Sequence, residues 1–143
     1  MRSVEVYLRN TNQEDVAAFL KQAFPLQEGP PWIHAINGDA CLYIDFNPYS
    51  KNEHEADDWS ELVHGLGCEP QVVVTANVSG RHPGDEQVRQ FIKTMLTAFE
   101  GVAHDEYTAH CWSRDEVLSN HKIQGHHFFD YQGWFDEEKA QNH

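Results

Sequence analysis

The fold of this chain depends most on the stretch Trp32-Ile-His-Ala-Ile-Asn-Gly-Asp-Ala-Cys-Leu-Tyr-Ile-Asp-Phe46. Two apolar runs, Trp32 to Ile36 and Cys41 to Phe46, flank the tripeptide Asn37-Gly38-Asp39. Asn-Gly tolerates the positive φ that a tight two-residue turn requires, so the stretch predicts a β-hairpin. The fold is therefore expected to contain an antiparallel sheet.

The residues before the hairpin predict a strand followed by a helix. Val4, Val6 and Leu8 alternate with more polar residues, which is typical of a half-buried strand. The sequence Thr11-Asn-Gln-Glu14 fits a helix capping box, and Pro25 ends the apolar helical pattern that follows it.

The residues after the hairpin predict two more helices with a strand between them. A short helix is expected over about 56–66, and a strand over Gln71 to Ser79. The clearest amphipathic pattern starts at Asp85, the predicted helix cap, and Gly101 stops it. Beyond Gly101 the pattern weakens. Ser113-Arg-Asp-Glu116 is a second capping box, and from Asn120 onward we expect an extended tail with at most one short strand.

The order strand, helix, strand, strand, helix, strand predicts an α+β fold with a ferredoxin-like split βαβ core, βαββαβ. In this fold two helices pack on one face of an antiparallel sheet, and the long helix and the tail are additions that cover an open face or an edge. The alternative is a mixed α+β sheet in which the tail supplies an extra strand. We expect one domain over 1–143, with a core over about 1–100 and a C-terminal extension over 101–143.

The chain is strongly acidic. It has 23 Asp and Glu against 10 Lys and Arg, a formal net charge of −13. Such a charge disfavours nucleic acids and anionic membranes and favours fast association with a basic partner. The sequence has no apolar run of membrane-span length and no signal-type N-terminal segment, and its three cysteines form no C-x-x-C pair. We therefore expect a cytoplasmic protein.

Many of the acids lie in three groups, over 53–61, 105–106 and 130–138, and each group has aromatic neighbours. Acids can steer a basic partner, and Tyr and Trp are frequent anchors at binding hot spots. The residues expected to bind the partner are five steering charges and two aromatic anchors, namely Asp57, Asp58, Asp105, Glu106, Asp130, Tyr131 and Trp134.

Six residues of metal-ligating type lie between residues 104 and 127: His104, His110, Cys111, His121, His126 and His127. Their spacing fits no zinc motif, so we interpret them as partly exposed histidines or turn residues. The alternatives are a metal site and a pH-sensitive interface. No nucleophile elbow or phosphate-binding loop is present. We expect no catalytic residue, no cofactor and no enzymatic activity.

Two segments of the C-terminal part resemble a known pattern. Gly101-Val-Ala-His-Asp-Glu-Tyr-Thr-Ala-His-Cys-Trp-Ser-Arg-Asp-Glu-Val117 and Gly125-His-His-Phe-Phe-Asp-Tyr131 are similar to segments of small acidic bacterial proteins of the immunity type, from polymorphic toxin systems. The chain departs from that pattern at His104 and Cys111. The resemblance implies a cytoplasmic protein that binds and neutralises a cognate toxin.

The leading hypothesis is therefore a non-enzymatic binding protein, an immunity-type inhibitor that neutralises a basic protein partner such as a toxin. It would bind neither nucleic acid nor membrane, and a homodimer is possible. Three alternatives stay open. They are a small metal-dependent hydrolase that uses the C-terminal histidines, a nucleic-acid mimic, and a domain with no recognised activity.

Overall fold

The computed structural model describes residues 2–25, 27, 29, 31–48, 56–105, 107 and 110–141, except for the side chains of 48, 56–59, 61 and 141. Within these ranges the strands are β1 (Arg2–Arg9), β2 (Trp32–Ile36), β3 (Asp39–Pro48), β4 (Val72–Val78) and β5 (Glu100–Asp105). The helices are α1 (Gln13–Ala23), α2 (Ala56–Leu66), α3 (Asp85–Ala98), α4 (Arg114–Leu118) and α5 (Tyr131–Gln141). In the described part of the chain, none of these helices has the length and apolar character needed to cross a membrane.

The five strands form one antiparallel sheet in the order β2-β3-β4-β1-β5. The predicted α+β class is confirmed. The ferredoxin-like topology is not confirmed, because in that topology the second hairpin strand pairs directly with the first strand of the chain. Here β4 lies between β3 and β1.

Strand β4 lies in the centre of the sheet, with one fully apolar face and a mixed opposite face. Val72, Val74, Ala76 and Val78 belong to the main core on one face, whereas Val73 belongs to a smaller core on the other face. A central position covers both faces of the strand and so removes its apolar surface from water. The run of valines, which predicts a buried strand, is consistent with this central place in the sheet.

The helices cover both faces of the sheet, but α2, rather than the long helix α3, lies on the face opposite α1. Helices α1 and α3 pack on the main core, for example through Leu20 and Ile92. Helix α2 packs on the opposite face, where Leu62 and Leu66 contact the small core around Tyr7. Tyr7 lies between Val6 and Leu8 of the main core, so the alternation along β1 supplies both faces.

The predicted hairpin is confirmed, and its two turn residues Asn37 and Gly38 both have positive φ, of 51° and 83°. Helix α1 begins one residue later than the capping box at Thr11 predicts. Its N-cap is Asn12, whose side chain accepts a hydrogen bond from the Asp15 N–H at 2.8 Å. Helix α3, in contrast, begins one residue earlier than predicted. Its N-cap is Gly84, with a φ of 79°, whereas the sequence predicts Asp85.

The C-terminal part is more regular than the sequence predicts. Strand β5 pairs with β1, so the alternative in which the tail supplies an extra strand describes this edge of the sheet. Trp112 then pairs with Ala103 through two backbone hydrogen bonds of 2.8 Å and covers part of the outer edge of β5. The capping box of Ser113 and Glu116 is confirmed at α4. The extended tail predicted after Asn120 is wrong, because α5 spans Tyr131–Gln141.

Replacing Gly101 with Ala is expected to destabilise the protein. A Cβ at this position would overlap the carbonyl oxygen of Tyr7 in the neighbouring strand, so β5 would have to move away from β1. Overpacking of this kind typically costs about 1–3 kcal/mol in the free energy of unfolding, which urea denaturation measures. Gly80→Ala is the matched control, because no atom lies within 4 Å of a Cβ there. Equal losses in both variants would contradict the proposed overlap.

Candidate functional site

A buried carboxylate at the end of β5 holds the C-terminal segment in place. The Asp105 side chain is 2% exposed and accepts hydrogen bonds from the backbone N–H groups of Tyr107, at 3.1 Å, and Phe129, at 2.8 Å. Burying a charge is costly unless hydrogen bonds compensate for the lost hydration. The bond from Phe129, which lies 24 residues after Asp105, therefore ties that later part of the chain to the sheet. Asp105 is therefore a positioning residue, and its burial makes it poorly placed for the predicted role of a steering charge.

The residues around Phe129 turn the chain into α5. Phe129 has a φ of 59°, a conformation that bulky residues rarely adopt, and its buried ring packs against the rings of Tyr107 and Tyr131. The next residue, Asp130, accepts a hydrogen bond from the Gly133 N–H at 3.1 Å and thereby caps α5. The fixed backbone at Phe129 thus sets where the helix starts.

A second set of contacts fastens α5 to the turn before it. The buried imidazole of His126 lies between two carboxylates, with Nδ1 at 2.9 Å from Asp130 and Nε2 against Glu137. Its ring stacks on Trp134 with centroids 3.8 Å apart. Both ring nitrogens face carboxylate oxygens, which fits the doubly protonated imidazolium because it donates from both nitrogens.

This arrangement shifts the pKa values of its members. Burial disfavours the charged form of His126, but the hydrogen bonds and charges of Asp130 and Glu137 outweigh burial and raise the pKa of His126. Burial likewise acts to raise the pKa of Asp130, but the hydrogen bonds from His126 and Gly133 and the nearby imidazoles, including that of His127, outweigh it and lower the pKa. Both pKa shifts reflect the mutual stabilisation of the protonated imidazole and the ionised carboxylate.

The outer face of α5 forms an aromatic groove of about 460 Å³. Tyr131, Trp134, Phe135 and Glu138 recur at the spacing that places side chains on one helical face. Three residues complete the lining, namely Arg2, Tyr107 and Gln132. Phe135 is 59% exposed and is the only large hydrophobic side chain of the described residues that is exposed. We call this surface the α5 groove.

Arg2 connects the α5 groove to the sheet. Its guanidinium donates hydrogen bonds to the carbonyl oxygens of His82 and Pro83, at 2.7 and 2.8 Å. The same guanidinium lies over the ring of Tyr131 at 4.1 Å and over that of Phe129 at 5.5 Å. One side chain thus fixes the tyrosine of the groove against the start of β1 and the loop before α3.

The structure brings together only some of the residues predicted to bind a partner. Tyr131 and Trp134 line the α5 groove, and Asp130 caps the same helix with its side chain 19% exposed, paired with His126. Asp57 and Asp58 lie in α2 on the opposite face of the sheet from the main core, and their side chains lie outside the described residues. Glu106 also lies outside them. Partner binding by these residues stays a prediction.

The sequence interpretation did not include five members of the groove, namely Arg2, Tyr107, Gln132, Phe135 and Glu138. The helical spacing from Tyr131 to Glu138 is a signal for two of them, Phe135 and Glu138. Gly133 in the middle of that pattern weakens the expectation of a helix. Nothing in the sequence brings Arg2 near α5, because that contact depends on the tertiary fold.

The C-terminal histidines contact carboxylates or aromatic rings. His110 lies 3.2 Å from Glu116, and His121 lies 3.7 Å from the same carboxylate. His104 packs edge-on against the ring of Tyr7. Within the described ranges, no group of three or more His, Cys, Asp or Glu side chains is arranged to hold a metal ion. Burial raises the pKa of the Cys41 thiol, which makes this residue a poor nucleophile.

Comparison of the chain with protein-family models, with curated proteins and with solved structures finds no match in any of the three. The fold and the α5 groove therefore carry the functional argument, and the resemblance to immunity-type proteins stays a prediction.

Replacing Asp105 with Asn is expected to lower the free energy of unfolding by about 1–3 kcal/mol, because an amide has one acceptor oxygen for two N–H donors and leaves one buried donor unpaired. Asp115→Asn is the control, because that side chain is 89% exposed. Its effect is expected to stay within about 0.5 kcal/mol. Urea denaturation measures both, and an Asp105→Asn loss no larger than that of the control would contradict the positioning role.

The His126 contacts predict a dependence of stability on pH. Because the pKa of His126 is raised in the folded state, protonated His126 adds to the free energy of unfolding. This contribution is fully present below the unfolded-state pKa of about 6.5 and is lost as pH rises through the folded-state pKa. The lowered pKa of Asp130 gives a contribution that is present above about pH 4 and is lost as pH falls through the folded value. The pair of His126 and Asp130 therefore stabilises the folded protein most between about pH 4 and 6.5.

The stability difference between wild type and His126→Gln is accordingly expected to be larger near pH 5.5 than near pH 9, as measured by urea denaturation at both values. His121→Gln serves as the control, because this histidine is half exposed and lies 3.7 Å from its carboxylate. A difference for His126→Gln that does not change with pH would contradict the ion-pair interpretation.

Proposed function

We propose that this protein is a non-enzymatic binding protein that docks a basic protein partner on the α5 groove. In its most specific form the proposal is an immunity-type inhibitor that acts in the cytoplasm and neutralises a toxin. The observation that carries it is the exposed aromatic groove on a helix that also exposes three acids and one lysine.

The aromatic part of the groove supplies binding energy. Large rigid rings bury much apolar area at a small cost in side-chain entropy, which is why they are frequent at hot spots. Phe135 is exposed, whereas Tyr131 and Trp134 are half-buried and already held by Arg2 and His126. A partner would therefore meet a surface that needs little ordering on binding.

Acidic residues in and beside the groove supply charge selection, with Glu138 in its lining. Asp136, Glu137 and Glu138 are exposed on α5, and Lys139 is the only basic residue in the helix. The chain as a whole carries a formal charge of −13. A basic partner would be attracted before contact, which raises the association rate at low salt above the neutral value of about 10⁵–10⁶ per molar per second.

The position of the immunity-like segments supports the same surface. They cover residues 101–117 and 125–131, which include Asp105 and Asp130. Asp105 holds the start of the α5 region on the sheet and Asp130 caps the helix. The residues that carry the resemblance are thus among those that position the groove.

The test begins with the untagged protein as bait in lysate of its native cells, followed by binding kinetics with the captured protein. Phe135→Ser is expected to weaken binding by at least about tenfold, because it removes an exposed anchor without opening the core. Ala140→Ser, an exposed position on the same helix outside the groove, is the matched control. Circular dichroism checks that both variants fold.

Glu138→Gln is expected to lower the association rate more than Asp115→Asn, an exposed acid outside the groove. The wild-type rate is expected to fall steeply between about 50 and 500 mM salt as the charges are screened. A captured partner that is not basic, a rate that does not change with salt, or full binding by Phe135→Ser would overturn the proposal.

A further inference from the structure

A second groove of about 420 Å³ has the opposite charge character from the rest of the protein. Its basic side chains are His34 of β2 and Arg89 and Lys93 of α3. Glu86 is its single acid, and Gln87 and Gln90 add two amides. In a chain with 23 acids against 10 Lys and Arg, three basic groups beside one acid are an unusual local composition.

These basic groups are not neutralised by the protein. Arg9, Arg81 and Arg114 each have a carboxylate partner, with N–O distances from 2.7 to 3.6 Å. Among the described residues, no carboxylate oxygen lies within 4.0 Å of a side-chain nitrogen of His34, Arg89 or Lys93. The groove therefore holds two cationic side chains, Arg89 and Lys93, beside one acid.

The Arg89 side chain is held by one hydrogen bond, and its Nε has no acceptor among the described residues. Its Nη2 donates to the carbonyl oxygen of Leu118 at the end of α4, at 3.2 Å. Its Nε is buried with no acceptor. Arg89 is half-buried and fixed at one nitrogen. A ligand that accepts hydrogen bonds from the guanidinium therefore causes only a small further loss of side-chain entropy.

The spacing on α3 directs the polar groups to one side. Glu86, Arg89, Gln90 and Lys93 recur at i, i+3, i+4 and i+7, so they share a helical face. His34 reaches the same groove from the sheet. A guanidinium, an ammonium, an imidazole and amide groups together are donors suited to the oxygens of a phosphate or carboxylate.

We propose that this groove binds a small oxyanion, either a phosphate group or a carboxylate, with Arg89 and Lys93 as its charged donors. The site is separate from the α5 groove, because the two share no lining residue. An oxyanion here would occupy the positive part of an otherwise acidic surface and would not compete with a basic partner on α5.

The test is a ¹H–¹⁵N NMR titration of the full chain with inorganic phosphate and, separately, with acetate, at constant ionic strength maintained with chloride. Saturating shifts confined to the amides of α3 around Glu86 to Lys93 and to the Arg89 side chain are expected with at least one anion. The anion that saturates the shifts identifies whether the site takes phosphate or carboxylate.

Lys93→Gln is expected to raise the apparent Kd about tenfold, since it removes one charge-assisted donor at an exposed position. Lys139→Gln, an exposed lysine on α5, is the matched control and is expected to titrate like wild type. Shifts that grow linearly without saturation for both anions, or equal behaviour of the two lysine variants, would overturn the proposal whatever the outcome at the α5 groove.

Discussion

The buried carboxylate of Asp105 is the constraint on which the C-terminal segment of the structure depends. A charge removed from water needs hydrogen bonds, and two backbone N–H groups, those of Tyr107 and Phe129, supply them. One of these donors lies 24 residues further along the chain. The carboxylate therefore converts a segment of weak sequence pattern into one that is fixed against the edge of the sheet.

The α5 groove follows from that constraint. Once Phe129 is fixed, Asp130 caps α5 and pairs with His126, while Arg2 holds Tyr131 from the start of β1. The groove is thus assembled from separate parts of the chain and is coupled to the sheet. Its aromatic side chains are held by contacts made before any partner arrives, which is the physical basis of the proposed binding role.

Local signals predicted the elements whose causes are local. The Asn37-Gly38 turn and the capping box of Ser113 and Glu116 are hydrogen-bonding and φ requirements within a few residues. The place of β4 between β3 and β1 depends on contacts between distant parts of the chain, and the apolar pattern of β4 is compatible with many strand orders. The role of Asp105 was not predictable, since a sequence shows a charge but not whether it is buried.

The most direct test of the central claim is amide hydrogen exchange of wild type and Asp105→Asn under the same conditions. The amides of α5 are expected to exchange faster in the variant while those of β1 and β4 keep their protection, because the carboxylate holds the C-terminal segment and not the sheet centre. Unchanged protection of α5 in Asp105→Asn would contradict this claim.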